Sequence, residues 1–266
     1  MHLSRASKWF LGIVTGLVLA FIYVPLLLVL VNSFNADKAF GWPPRGFTLE
    51  WWRRAAHNDS VLTALGTSVK VGLSATVIAL VLGTMLALAL QRYSFFGRST
   101  VNLLSILPIA LPGIVTGIAL NNMFTTALGI PLSIWTVIVA HATFCMITVL
   151  NNAQARLAQM NGRLEEASAD LGAGVFRTFW SVTLPQLRSA LLAGALLSFA
   201  LSFDEIIVTT FTIGASDQTL PVWILENLFR PNQAPIVNVV AVVLILVSVI
   251  PIYLAQKLSG ETSVSR

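Results

Sequence analysis

The stretch IVNVVAVVLILVSVIPIYLAQ, residues 236–256, contains no acidic or basic side chain. A bilayer core of about 30 Å needs roughly 20 apolar residues at about 1.5 Å of rise each, so this stretch predicts a membrane-crossing helix. Working outward from it, five more runs of the same kind occupy 9–31, 69–90, 101–123, 132–150 and 189–211. Composition agrees: 56% of the 266 residues are hydrophobic and only 10% charged, against roughly 25% charged in a soluble domain. Mean hydropathy is +0.82. The expected fold is an all-α integral membrane protein with six transmembrane helices, read as a single domain over residues 1–266. A large soluble enzyme is excluded. The lone Cys145 excludes an internal disulfide framework and any multi-cysteine metal site. The first run follows Arg5 and Lys8, but its apolar length exceeds the roughly 7–15 residues of a signal-peptide core. It is read as a retained span.

The net charge of +5 would suggest a nucleic-acid partner if the basic residues shared one polar face. They lie between the apolar runs instead, and nucleic acid is not an expected partner. Arg5, Lys8, Arg92, Arg98, Arg156, Arg163, Arg177, Arg188, Lys257 and Arg266 fall on one side of the membrane. Lys38, Arg45, Arg53, Arg54 and Arg230 fall on the other, with Lys70 just inside the second run. Loops rich in Lys and Arg face the cytoplasm, which places both termini there. On the outer side, the connection 32–68 carries Trp42, Pro43, Pro44, Phe47, Trp51 and Trp52 beside Arg53 and Arg54. Clustered tryptophan next to arginine predicts a short helix anchored at headgroup level.

The fourth connection, 151–188, is far longer than the others. Arg163–Leu171 reads as a short helix with acidic residues in its first turn, where the helix dipole favours them, and Gly172 after its end. A second short helix is expected from Val175, with Phe176, Phe179, Trp180 and Val182 forming an apolar stripe, and Pro185 marks the start of the fifth span. Two helices bent at a glycine present a rigid knob to a soluble partner or fold back on their own bundle. Spacing alone leaves both readings open.

Glu166-Ala167-Ser168, three residues, Gly172, nine residues, then Val182-Thr183-Leu184-Pro185 resembles the EAA loop of binding-protein-dependent ABC transporter permeases. Ser168 and Val182 depart slightly from that family's Ala and Ile. Leu107–Gly117, Ser202–Val208 and Thr219–Trp223 resemble the polyamine (spermidine/putrescine) branch. The resemblance implies a type I ABC importer permease fold in a bacterial inner membrane. It implies a second homologous permease subunit, two ATPase subunits and an extracytoplasmic solute-binding protein as partners. Glu165, Glu166, Ala167, Ser168, Asp170 and Gly172 would couple to the ATPase. The chain has no phosphate-cradling G-x-x-x-x-G-K-[ST] sequence, and Leu258–Glu261 is a chance likeness to an ATPase signature. ATP and Mg would therefore be used by partner subunits, with no cofactor and no catalytic residue here.

Carboxylates inside a membrane cost at least about 2.5–3.5 kcal/mol each, so Asp204 and Glu205 need a reason. On an unbroken helix Ser198, Ser202, Glu205 and Thr209 form one polar stripe. Glu205 then lines a path for a small cationic substrate, while Asp204 joins it or fixes a neighbouring span. Pro108, Pro112, Gly113 and Gly117, followed by Asn121 and Asn122, predict a kinked, pore-lining third span. Trp223, Glu226 and Phe229 lie in an outer loop whose stretch 221–228 reads as a short helix, a gate or a docking point. His141 and Cys145 share a helix face without a second ligand pair and are read as interhelical packing, with no metal site. The substrate alternatives are γ-aminobutyrate, an opine or an aminophosphonate. A self-sufficient secondary transporter would show repeated halves, and a membrane enzyme would show a reactive constellation; neither pattern is present.

Overall fold

The computed structural model describes residues 4–38, 43–230 and 233–260; Trp42, Glu261 and Arg266 lie outside them. Among the described residues twelve α-helices follow one another: α1 (Arg5–Asn32), α2 (Glu50–Ala56), α3 (Asp59–Arg92), α4 (Arg98–Ala110), α5 (Gly113–Asn122) and α6 (Ile134–Leu157). Then come α7 (Arg163–Asp170), α8 (Val175–Thr178), α9 (Leu184–Phe203), α10 (Ile207–Thr212), α11 (Leu220–Asn227) and α12 (Ala234–Gly260). Among the described residues the only β pairing is an isolated bridge between Asn35 and Phe47.

Among the described residues five continuous helices are long and apolar enough to cross a membrane: Ser7–Asn32, Asp59–Arg92, Ile134–Leu157, Val175–Phe203 and Ala234–Lys257. The third expected span is present but broken into α4 and α5. Leu111 is extended (φ −80°, ψ 143°) and ends α4. Pro112 is the cause: it lacks an N–H and its ring disfavours helical geometry at the residue before it.

The chain divides into two compact units, 1–62 with 224–245, and 63–223 with 246–266. In the first, α1 is apolar all round and its hydrophobic window is wholly exposed, as a helix facing lipid or another chain must be. Trp51 is buried in this unit and its indole N–H donates to the Asn35 carbonyl at 2.8 Å. Trp52 stacks on Phe34 with centroids 5.3 Å apart. The tryptophan pair thus staples its own loop, and the expected short helix beside the arginines is α2.

In the second unit α6 is the central pillar. Ala87, Leu90, Leu150, Ala153, Leu157 and Leu187 form one buried cluster joining α3, α6 and α9. The small residues on these faces let helix backbones approach closely, the main source of helix association in lipid.

The 151–188 connection is mostly helix. Helix α6 runs on to Leu157, and one continuous helix covers Val175–Phe203, passing through a π-turn at Phe179–Thr183. Pro185 therefore lies within a helix that is already under way and does not mark its start. It is tolerated because the widened π-turn precedes it. The fifth span stops earlier than expected, at Phe203, and resumes as α10.

The broken helix and the elbow as candidate functional sites

Asp204, Glu205 and Ile206 separate α9 from α10, with Asp204 at φ −100°, ψ 4° and Ile206 at φ −109°, ψ −47°. No proline causes this break. Asp competes for backbone hydrogen bonds, and the β-branched run Ile206-Ile207-Val208-Thr209-Thr210 is a weak helix former. The expected stripe of Ser198, Ser202, Glu205 and Thr209 is therefore not one helical face. Ser198, Ser202 and Thr209 are buried against α6, whereas Glu205 sits in the break.

Glu205 accepts the Val208 N–H through Oε1 at 2.9 Å, which caps α10; among the described residues Oε2 has no donor. Asp204 is exposed in this chain. Among the described residues neither carboxylate forms a salt bridge. The last carbonyls of α9 also end here, and a helix C-terminus carries partial negative charge. Two acids and a negative helix end thus come together with no paired cation among the described residues.

The break is tied down on both sides by α6. The His141 ring, fully buried, reaches Ser202 Oγ at 2.7 Å through Nδ1 and Thr209 Oγ1 at 2.9 Å through Nε2. Ser198 Oγ donates to the Cys145 carbonyl at 3.1 Å, and Thr136 Oγ1 donates to the Thr212 carbonyl at 2.7 Å. Both imidazole nitrogens are engaged by hydroxyls, so His141 offers no lone pair to a metal.

Helix α5 packs on α10. Its Asn121 amide donates to the Phe211 carbonyl at 2.6 Å. Gly117 meets Phe211 so closely that a Cβ there would lie 2.8 Å from the ring. Asn121 is thus a lock between the two half-helices, while Asn122 lines a shallow cleft of about 380 Å³ with Ala119, Met123, Thr126 and Ala127. Trp223, expected in a short helix of the outer loop, lies in α11 and is buried at 3% exposure.

The elbow is built differently. Helix α7 ends in a Schellman motif: the Gly172 N–H donates to Ala169 O at 2.8 Å and the Ala173 N–H to Ser168 O at 3.1 Å. Gly172 has φ +81°, a left-handed geometry that glycine adopts without steric cost. Glu165 turns inward and forms an ion pair with Arg92, and Thr183 Oγ1 donates to the same carboxylate oxygen at 2.6 Å. Ser168 and Thr178 bond through their hydroxyls at 3.0 Å. Arg92, used in the sequence only to orient the chain, is therefore a strut of the elbow.

Glu166, Ala167 and Asp170 remain exposed on the other side. Beside them Leu171, Val175, Phe176 and Trp180 are 89%, 78%, 82% and 60% exposed. Contiguous exposed apolar side chains of this size mark an interaction surface. The sequence reading also passed over a cleft of about 550 Å³ near the start of α4, lined by Leu90, Gln91, Arg98, Asn102, Asn151 and Gln154 among others. Carboxamides spread over three helices carry no motif.

Residues 79–261 match the family model described as the binding-protein-dependent transport system inner membrane component. The chain belongs to that family. It is a multi-pass membrane permease. It is 33% identical to the spermidine/putrescine transport system permease protein PotC of Haemophilus influenzae, over 92% of this chain and 95% of that one. It is 31% identical to the putrescine transport system permease protein PotI of Escherichia coli, over 85% of this chain and 82% of that one. The fold matches a crystal structure of a bacterial ABC transporter involved in import of the acidic polysaccharide alginate, with a TM-score of 0.73 at 17% identity. That match covers 97% of this permease and 99% of the alginate chain.

Proposed function

We propose that this permease forms half of the translocation path of an ATP-driven importer for polyamines such as putrescine and spermidine. The observation that carries the reading is the pair Asp204 and Glu205, without a salt bridge among the described residues at a break in a membrane helix. Intramembrane acids without a protein partner are sites for a cation. A zwitterion such as γ-aminobutyrate, an opine or an aminophosphonate would bring its own anion to a place where two carboxylates repel it. A polyamine brings only ammonium groups.

In this reading the whole chain, residues 1–266, works as one permease domain with both termini in the cytoplasm. A second homologous permease completes the pore. A solute-binding protein delivers from outside, and two ATPase subunits below use ATP and Mg. This chain is then a transport subunit with no catalytic residue. The 151–188 segment is the coupling element: Glu166, Ala167, Asp170 and the exposed apolar face meet the ATPase, while Glu165, Ser168 and Gly172 hold the bend. Closure of the ATPases moves the elbow and switches the bundle between inward- and outward-facing states, provided the ligands bind those states with different affinity. Ser202 and Thr209 frame the path from behind, and Asn121, Asn122 and Trp223 border it.

Uptake of radiolabelled putrescine and spermidine into proteoliposomes carrying the full complex tests the substrate. A charge-assisted hydrogen bond contributes about 1.5–3 kcal/mol, so Glu205→Gln and Asp204→Asn should each raise KM about 10-fold or more, with assembly retained. Unaltered KM in both variants would remove the cation site.

A further inference from the structure

Three hydrogen bonds cross the break in one direction. Thr209 Oγ1 donates to the Glu205 carbonyl at 2.9 Å. A carbonyl has no proton to give and the threonine hydroxyl has only one, so this oxygen must accept from the imidazole. His141 therefore carries its proton on Nε2 and donates to Thr209 at 2.9 Å. The Nδ1 lone pair is left to accept from Ser202 Oγ at 2.7 Å. The relay runs from Ser202 through His141 and Thr209 to the Glu205 carbonyl.

Ser202 lies in the last turn of α9 and Thr209 in the first turn of α10, with the three-residue break between them. The three side chains of the relay are 3%, 0% and 0% exposed. Within the hydrocarbon region irregular backbone is tolerated only where the protein supplies its hydrogen bonds. One neutral ring on a rigid neighbouring helix supplies them here. It spans the gap, and its far end holds the backbone of the residue whose carboxylate the site uses.

We propose that His141 is a positioning residue for the cation site: in its Nε2–H form it clasps α9 and α10 across the break and so holds Asp204 and Glu205 together at one spot. The proposal rests on reading these acids as that site. His141 does not touch the solute. It acts by sparing the ligand the ordering of a loop, and that ordering would otherwise weaken binding. Loosening the clasp must then raise KM far more than it lowers the maximal rate.

Thr209→Val keeps shape but severs the relay, and Thr209→Ser restores the hydroxyl. In the reconstituted complex, Thr209→Val should raise KM for putrescine and spermidine about 10-fold, as expected when a buried hydrogen bond is lost. Its maximal rate should stay within about two-fold, well under one decade in free-energy terms. Thr209→Ser should return KM to the parent value, and Thr209→Val combined with Glu205→Gln should be no worse than Glu205→Gln alone. If Thr209→Val does not assemble, Ser202→Ala opens the other end of the relay with the same expectation. A KM that stays put, or a maximal rate that falls while KM is unchanged, overturns the clasp. If Glu205→Gln raises KM and Thr209→Val does not, the clasp falls alone. If neither moves KM, the cation site falls with it.

Discussion

The molecule interrupts its helices at two places that matter, and it treats them in opposite ways. At Gly172 the chain turns through a glycine with φ +81°, the bend closes on local backbone bonds, and the outer face is left apolar and exposed. At Asp204–Ile206 the chain turns without glycine or proline, long-range side-chain bonds from α6 hold it, and two carboxylates have no salt bridge among the described residues. Each interruption is satisfied on the side facing its own protein and unsatisfied on the side facing away. On the function proposed above, what each lacks is supplied by a visitor: an apolar protein surface at the elbow, a cation at the break. A permease needs this division, because force must enter at a rigid place and solute must bind at a polar one.

The sharpest way to break the comparison is to exchange its two chemistries. Phe176→Asp puts a charge in the centre of the elbow's apolar face. Central aromatic anchors of an interface contribute about 2 kcal/mol or more, so capture of the cognate ATPase subunit should fall about 30-fold or more. Solute affinity measured at the break should not change. Gly172→Val should act in the same direction, since a β-branched residue at positive φ costs roughly 1–2 kcal/mol. Pull-down and solute-binding assays on the same preparations separate the two sites. A Phe176→Asp protein that still captures its ATPase but loses solute affinity would dissolve the division of labour.

These two interruptions also differed in how far the sequence revealed them. The elbow is local: acidic residues, a glycine and an apolar stripe within some 20 positions define its helices, and the structure places α7 at Arg163–Asp170. Its anchor is not local, because the Arg92 partner of Glu165 lies 73 residues away. Pro112 announced the third-span interruption, although a proline distinguishes a kink from a full break only through what packs behind it. The fifth-span break carries no such punctuation. Ser202 and Thr209 are seven residues apart, two turns of an unbroken helix, so the stripe did bring them to one side. The same arithmetic put Glu205 on that side as well, which is where assuming continuity failed. Two hydroxyls sharing one imidazole some 60 residues away in the chain depend on helix pairing that periodicity does not encode.

A smaller effect tests whether α5 belongs to the break. Gly117 and Gly113 both face α10, but a Cβ at position 117 would sit 2.8 Å from the Phe211 ring, whereas one at 113 would find its nearest neighbour at 3.5 Å. Gly117→Val should therefore destabilise by about 1–3 kcal/mol through overpacking, lowering the melting temperature by several degrees at roughly 2–4 °C per kcal/mol. Gly113→Ala should leave it unchanged. Thermal unfolding of the detergent-solubilised complex reads the pair. Equal melting for both variants would mean that α5 and α10 are not held in close register.

The smallest effect needs no change of chemistry at the break, because the protein carries its own reporter. Cys145 lies one turn from His141 on α6, is fully buried, and contacts the Ser198 carbonyl at 3.3 Å. A thiol so enclosed reacts only when its surroundings open. A membrane-permeant maleimide should thus leave the parent protein nearly unlabelled over the course of an uptake assay. Thr209→Val opens the neighbouring clasp without touching the sulfur, and it should raise the labelling rate about 10-fold if the opening equilibrium shifts by one buried hydrogen bond. Phe176→Asp, far along the chain in the elbow, should not change it. Labelling that rises equally in both variants would mean that the elbow and the break share one rigid state, and that force and solute are felt at the same place.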